Sequence, residues 1–325
     1  VKHYEKGLVL KGTDAKAALK ELQEFAEQTL KCQNMPVCEK KILFVGEEIS
    51  FASRYRVEHF REQLHYQGYG SDFYQVDEVE DLDWDAYRAV VCYRCSREDV
   101  VCKVVEQAKK TGLNVYYDID DLIFDYERIS YLHFLTGSEY KDFKKTTEQI
   151  HSCMELCDGY FTSTDTLAGE IRREFPGKPV VINRNCASME MQILSHDAVE
   201  QVEKDPEHIS IGYFSGSKTH DQDFEVAEEA ILEVMKEHPE VRLKLVGVLS
   251  DRKMEKFGNK VEKLPFMDWK QLPSVMAGID INLMPLEDSI FHCSKSENKW
   301  MEAALVKVPS VMSRNREMEG VIENG

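Results

Sequence analysis

The sequence predicts an α/β protein of two doubly wound parallel-sheet lobes behind a helical N-terminal extension. Three observations predict it. Short apolar runs bounded by turn residues recur along the chain, amphipathic helical segments separate most of them, and the rhythm breaks once, over 188–207, before restarting. A length of 325 residues allows two lobes, each large enough to bury its own core.

Ala18, Leu19, Leu22, Phe25, Ala26 and Leu30 recur at helical spacing, so 1–38 reads as a helical extension ending near Asn34 and Pro36. Strands are predicted at 41–46, 72–76, 88–93, 114–118, 159–163 and 179–183, with helices over 54–67, 98–110 and 141–156 between them. Together they make a first lobe, 39–200. The polar stretch 188–207 reads as a linker carrying a short helix. Strands at 209–214, 241–247, 279–284 and 308–313 then build a second lobe, 201–325. Two such lobes take ligand in the cleft between the carboxyl ends of their strands.

A formal net charge of -18 and the lack of a basic patch argue against nucleic acid as a partner. The longest apolar runs, such as Ile42 to Val45, fall far below the roughly 20 residues that span a bilayer. No signal peptide pattern is visible, so a cytoplasmic place is expected, with membrane association, if any, peripheral and at the inner face. Nine scattered cysteines suggest reduced thiols. Cys92 with Cys95, and Cys153 with Cys157, have spacings that a metal site could use. Cys92, however, closes the apolar run of a buried strand, and core packing is the expectation for all four. The chain opens on Val1 and stops at Gly325 just after a helical pattern, as a piece of a larger polypeptide with further domains would.

The first strand is followed by GEEISFASRYR, which has no dinucleotide fingerprint, and no Walker sequence occurs anywhere. The segment 291–313 is more informative. A helix capped at Ser294 would place Lys295, Asn298, Lys299 and Glu302 on one stripe, with unpaired amides at Ser294 to Ser296 ready for a diphosphate. Ser294 and Glu297 equally read as a capping box, and Lys299 with Glu302 as a solvated pair. Gly216, Ser217 and Lys218 follow a strand of the second lobe, where small residues permit close approach and the lysine can neutralise phosphate. Asp118, Asp120 and Asp121 end a strand of the first lobe. Such carboxylates can take a proton from a substrate hydroxyl, hold a divalent cation or cap the next helix. Arg54, Arg56 and Arg94 lie near other strand ends, where a cation could meet phosphate or an acidic acceptor.

In this order, VYYDIDDLIFD, IGYFSGSKTHDQDF, LPFMDWKQLPSVMAGIDINLMPLE and KSENKWMEAALVKVPSVMS resemble glycosyltransferase family 4, particularly its bacterial surface-polysaccharide branch, from about Lys41 onward. The resemblance implies the GT-B fold of two Rossmann-like lobes and a retaining, metal-independent transferase without a cofactor. It also implies a nucleoside diphosphate sugar donor on the second lobe and a glycan or lipid-linked acceptor on the first. By position, Gly216 to Lys218 would border the donor phosphates, Phe266 and Met267 the base, Ser294 to Ser296 the diphosphate, and Glu302 the ribose. Ser294 stands where the family's E-x7-E motif has its first glutamate, so that role would pass to a neighbour such as Lys295 or Glu297, or be missing. Asp120 and Asp121 stand where the family has a histidine and become the candidate catalytic pair. Arg56 and Arg94 become acceptor-binding candidates.

Overall fold

The computed structural model describes residues 38–47, 51–129, 137–216, 221–249, 252–320 and 322. The expected helix in 1–38 therefore lies outside the described residues.

The first lobe carries β1 (Cys38–Gly46), β2 (Tyr69–Gln75), β3 (Tyr87–Tyr93), β4 (Asn114–Asp118), β5 (Gly159–Thr162) and β6 (Val180–Ile182) in one sheet, ordered β2-β1-β3-β4-β5-β6. Every pairing is parallel. Consecutive side chains point to opposite faces, and both faces are covered. Leu43, Val45, Val90 and Cys92 pack on one side, whereas Phe44, Val91 and Tyr93 pack on the other. That two-sided burial is why these strands read as unbroken apolar runs. Cys92, Cys95, Cys153 and Cys157 are buried as free thiols in the larger of these two cores.

The second lobe carries β7 (Ile209–Ser215), β8 (Val241–Gly247), β9 (Val261–Leu264), β10 (Ile281–Met284) and β11 (Ser310–Met312), ordered β11-β10-β7-β8-β9 and again parallel. Ile211 and Tyr213 enter one core cluster and Phe214 the other.

Three local expectations need correction. The second lobe has a fifth strand, β9, which the sequence reading passes over because Glu262 and Lys263 interrupt it and both are exposed at the sheet edge. The supposed linker holds a 13-residue helix, Met189–Gln201. Ser188 caps it by accepting from the Met191 amide at 3.2 Å, and Ala198 packs in one cluster with Met276 and Ala277 of the second lobe. The helix expected from Ser294 begins later, at Asn298, and runs to Leu305. Ser294 instead closes the preceding turn, Ile290–Cys293, by donating its hydroxyl to the Ile290 carbonyl at 2.8 Å. The Ser294/Glu297 capping box does not form, and Glu297 caps the helix without a side-chain bond.

Candidate functional site

Both sheet orders reverse direction once, between β1 and β3 in the first and between β7 and β10 in the second. Strands diverge at such points and leave a crevice at their carboxyl ends. Here the two crevices face each other and form one cleft of about 300 Å³. The floor on the second-lobe side needs a glycine. Gly247 has φ +98°, and a Cβ there would sit 1.9 Å from the Ser215 carbonyl oxygen, a distance no side chain tolerates.

The first-lobe wall consists of Phe51, Ala52, Tyr55, Arg94, Asp120 and Asp121. Arg94 follows β3 in the left-handed region, φ 45°, and this turns its guanidinium across the end of β4. It pairs with Asp120 at 2.7 Å and also with Asp121. Burial lifts the Asp120 carboxyl above its usual range, with Arg94 pulling the other way.

Arg56, expected to meet an acceptor, is placed elsewhere. Its side chain is 0 % exposed and makes a two-pronged pair with Asp118, both bonds 2.8 Å. Its remaining Nη1 donates to the Asn183 carbonyl and to Asn185 Oδ1 at 3.0 Å. Asn185 in turn donates to Ser296 Oγ at 2.9 Å, so the pair anchors the crossing between the lobes.

On the opposite wall the structure brings together Gly216, Phe266, Met267, Lys295, Ser296, Lys299 and Glu302. Ser217 and Lys218 lie outside the described residues. Ser294 is 1 % exposed, has no face on the cleft, and accepts through its carbonyl from Thr164 Oγ1 at 3.0 Å. Glu297 is buried beside Arg184, 3.6 Å away, also off the cleft. Those two corrections share a cause. Both residues are used to join the lobes rather than to line the space between them.

Lys295 and Lys299 give this wall its character. Lys295 stands 3.6 Å from the buried Asp223 carboxylate. Asp223 is held in turn by the Glu287 amide at 3.0 Å and by His292 Nε2 at 3.2 Å. Lys299 lies over the Tyr213 ring and has no ion-pair partner among the described residues. Burial, reinforced by Lys295, lowers its pKa to about 8, against the opposing pull of Asp223 and Glu302. A half-buried cation left in that state is disposed to take an anion. Binding of a diphosphate should therefore be level between about pH 7 and 8, where the terminal phosphate is already ionised, and weaken above it, by up to about tenfold per pH unit, as the amine loses its proton. Calorimetric titration with UDP from pH 6 to 10 checks this, and Lys299→Arg should remove the fall.

Glu302 is 8 % exposed, and one of its oxygens is already engaged from across the cleft. Oε1 accepts from Arg54 Nη2 at 2.8 Å and from the Tyr55 hydroxyl at 2.6 Å. Oε2 has no bond among the described residues and remains available. The Arg54 guanidinium is itself packed over Phe51, Tyr55 and Trp269. Sequence reasoning missed Phe51 and Tyr55 at this site, although both follow β1, and the carboxyl-end rule points to that loop.

No protein-family model and no curated protein matches the chain. Among solved structures, it is similar to a UDP-forming α,α-trehalose-phosphate synthase from Burkholderia xenovorans, at 9% identity and TM-score 0.52, covering 86% of each chain. It is similar to a TarM mutant from S. aureus solved with Fondaparinux, alpha-GlcNAc-glycerol and UDP, at 14% identity and TM-score 0.50. That match covers 77% of this chain and 46% of the other, so this chain spans less than half of TarM's length. A UDP-GlcNAc 2-epimerase from Methanocaldococcus jannaschii has 10% identity and TM-score 0.48, covering 87% and 86%. The likeness shows the fold, two parallel-sheet lobes of the GT-B kind.

Proposed function

We propose that this chain is a glycosyltransferase that moves a sugar from a nucleoside diphosphate sugar to a glycan or lipid-linked acceptor, in the synthesis of cell-surface polysaccharide. The observation that carries the reading is the pair Lys295 and Lys299 on one wall of an interlobe cleft, facing Asp120 and Asp121 on the other. A departing diphosphate needs its charge balanced, and an attacking hydroxyl needs a carboxylate to orient it. The two walls offer one each.

In this reading the base lies against Phe266 and Met267, and Gly216, Ser217 and Lys218 border the phosphates with Ser296. The free Glu302 Oε2 accepts from the ribose. The diphosphate leaves from the face the acceptor approaches, so anomeric configuration is retained. Ammonium groups rather than a metal ion balance the leaving charge. Transfer takes place in the cytoplasm, and any membrane association is peripheral.

Glu302→Ala should weaken nucleoside diphosphate binding by about 1.5 to 3 kcal/mol, the usual worth of a charge-assisted hydrogen bond. Unchanged affinity in a folded variant would remove Glu302 from the site. Glu302→Gln, which keeps the shape, controls for the loss of the Arg54 contact.

A second reading is favoured by Ser294. It stands where the family's first glutamate belongs and is sealed off from the cleft, as expected of a binding-only scaffold domain within a larger synthesis protein. Incubation with a panel of nucleotide sugars separates the two. Transfer or hydrolysis of any of them supports the enzyme, whereas nucleotide binding without turnover supports the scaffold.

A further inference from the structure

The sequence pattern gives the first lobe two arginines suited to an anionic acceptor, yet the structure leaves neither free. Arg56 is enclosed with Asp118. Arg94 is the one cation among the described residues of the first-lobe wall, and it is shared by two carboxylates, Asp120 at 2.7 Å and Asp121. Asp120 is nearly enclosed, whereas the Asp121 side chain is 32% exposed and so presents the excess negative charge to the cleft. The rest of that wall is Ala52, the Tyr55 hydroxyl already given to Glu302, and Phe51, 42% exposed at the mouth. The lysines lie on the other wall, where the diphosphate needs them.

We propose that the acceptor is an uncharged polyhydroxyl compound, a neutral sugar or polyol unit, and that the first-lobe wall rejects acceptors bearing a phosphate or carboxylate next to the reacting hydroxyl. This rests on the donor reading above. The selection works by a like charge that a ligand anion cannot pair away. Removing Arg94 from Asp120 and Asp121 to serve such an anion would leave both carboxylates uncompensated at the mouth of a partly dry cleft. Hydroxyls have no such conflict, because they donate to Asp121 and meet the Phe51 ring with their carbon-bound hydrogens.

The test uses two probes of one shape, p-nitrophenyl glucoside and p-nitrophenyl glucuronide, which differ by a carboxylate. Binding of each to the chain saturated with UDP is measured by calorimetry at low and high salt. The glucoside should bind at least about tenfold more tightly, a difference of one like-charge contact. The gap should narrow in high salt and in Asp121→Asn, an isosteric change at a side chain open to solvent. Equal or tighter binding of the glucuronide, or no binding of the glucoside, overturns the inference. So does a gap that Asp121→Asn leaves unchanged. UDP binding in the same preparation keeps the two claims apart, because a chain that takes up UDP but shows no glucoside preference contradicts the acceptor class alone. A chain that takes up no nucleoside diphosphate contradicts the donor reading.

Discussion

Asp120→Asn and Asp121→Asn are each expected to slow sugar transfer by about 10²- to 10⁴-fold while leaving nucleotide affinity nearly intact, the effect of losing a positioned carboxylate. The geometry separates the two effects. These aspartates stand on the first lobe, and the lysines and Glu302 on the second. Both carboxylates share Arg94, so an asparagine at one position leaves the guanidinium with its other partner, and folding should be little disturbed. Steady-state kinetics checks the split between kcat and nucleotide affinity. Wild-type turnover in both single variants would reassign the pair to holding Arg94 in its left-handed conformation.

Arg56→Leu is expected to destabilise the protein by about 3 to 5 kcal/mol, because it strands Asp118 as an unpaired charge in a site with no exposure. The double change Arg56→Leu with Asp118→Leu should recover much of that loss, since removing both members of a buried pair costs far less than removing one. Denaturant unfolding of the single and double variants reads the difference. Asn185 would lose its Arg56 partner, so Ser296, which Asn185 holds, should also be less well placed. A single variant as stable as the wild type would mean that Asp118 is neutral in the fold.

The sequence showed the six strands of the first lobe most plainly at β1 and β3, which are buried on both faces and largely apolar, whereas the edge strands β2 and β6 are only partly buried. It concealed β9 because the exposed Glu262 and Lys263 separate its two partly buried residues, Val261 and Leu264, and mask the period. Site residues were legible where chemistry and position coincide. Gly216, Asp120 and Asp121 follow strand ends, Lys295 precedes the helix Asn298–Leu305, Lys299 and Glu302 lie on it, and all six line the cleft. The misreadings concern partners far away in the chain. Nothing local tells that Arg56 meets Asp118, 62 residues on, or that Glu302 receives Arg54 from 248 residues away. Ser294 was misread for the opposite reason. Its local pattern fits a cap at the start of a helix, whereas the chain spends its hydroxyl on the end of the turn before.

The central claim is that the interlobe cleft binds a nucleoside diphosphate through its second-lobe wall. The most direct measurement is calorimetric titration of the wild-type chain and Lys299→Ala with UDP, GDP and ADP at pH 7. The account predicts that at least one of them binds the wild type, and that Lys299→Ala weakens the binding by about ten- to a hundredfold, the loss of one charge-assisted contact to phosphate. Binding that Lys299→Ala leaves untouched, or no binding of any of the three to the folded wild type, would contradict it.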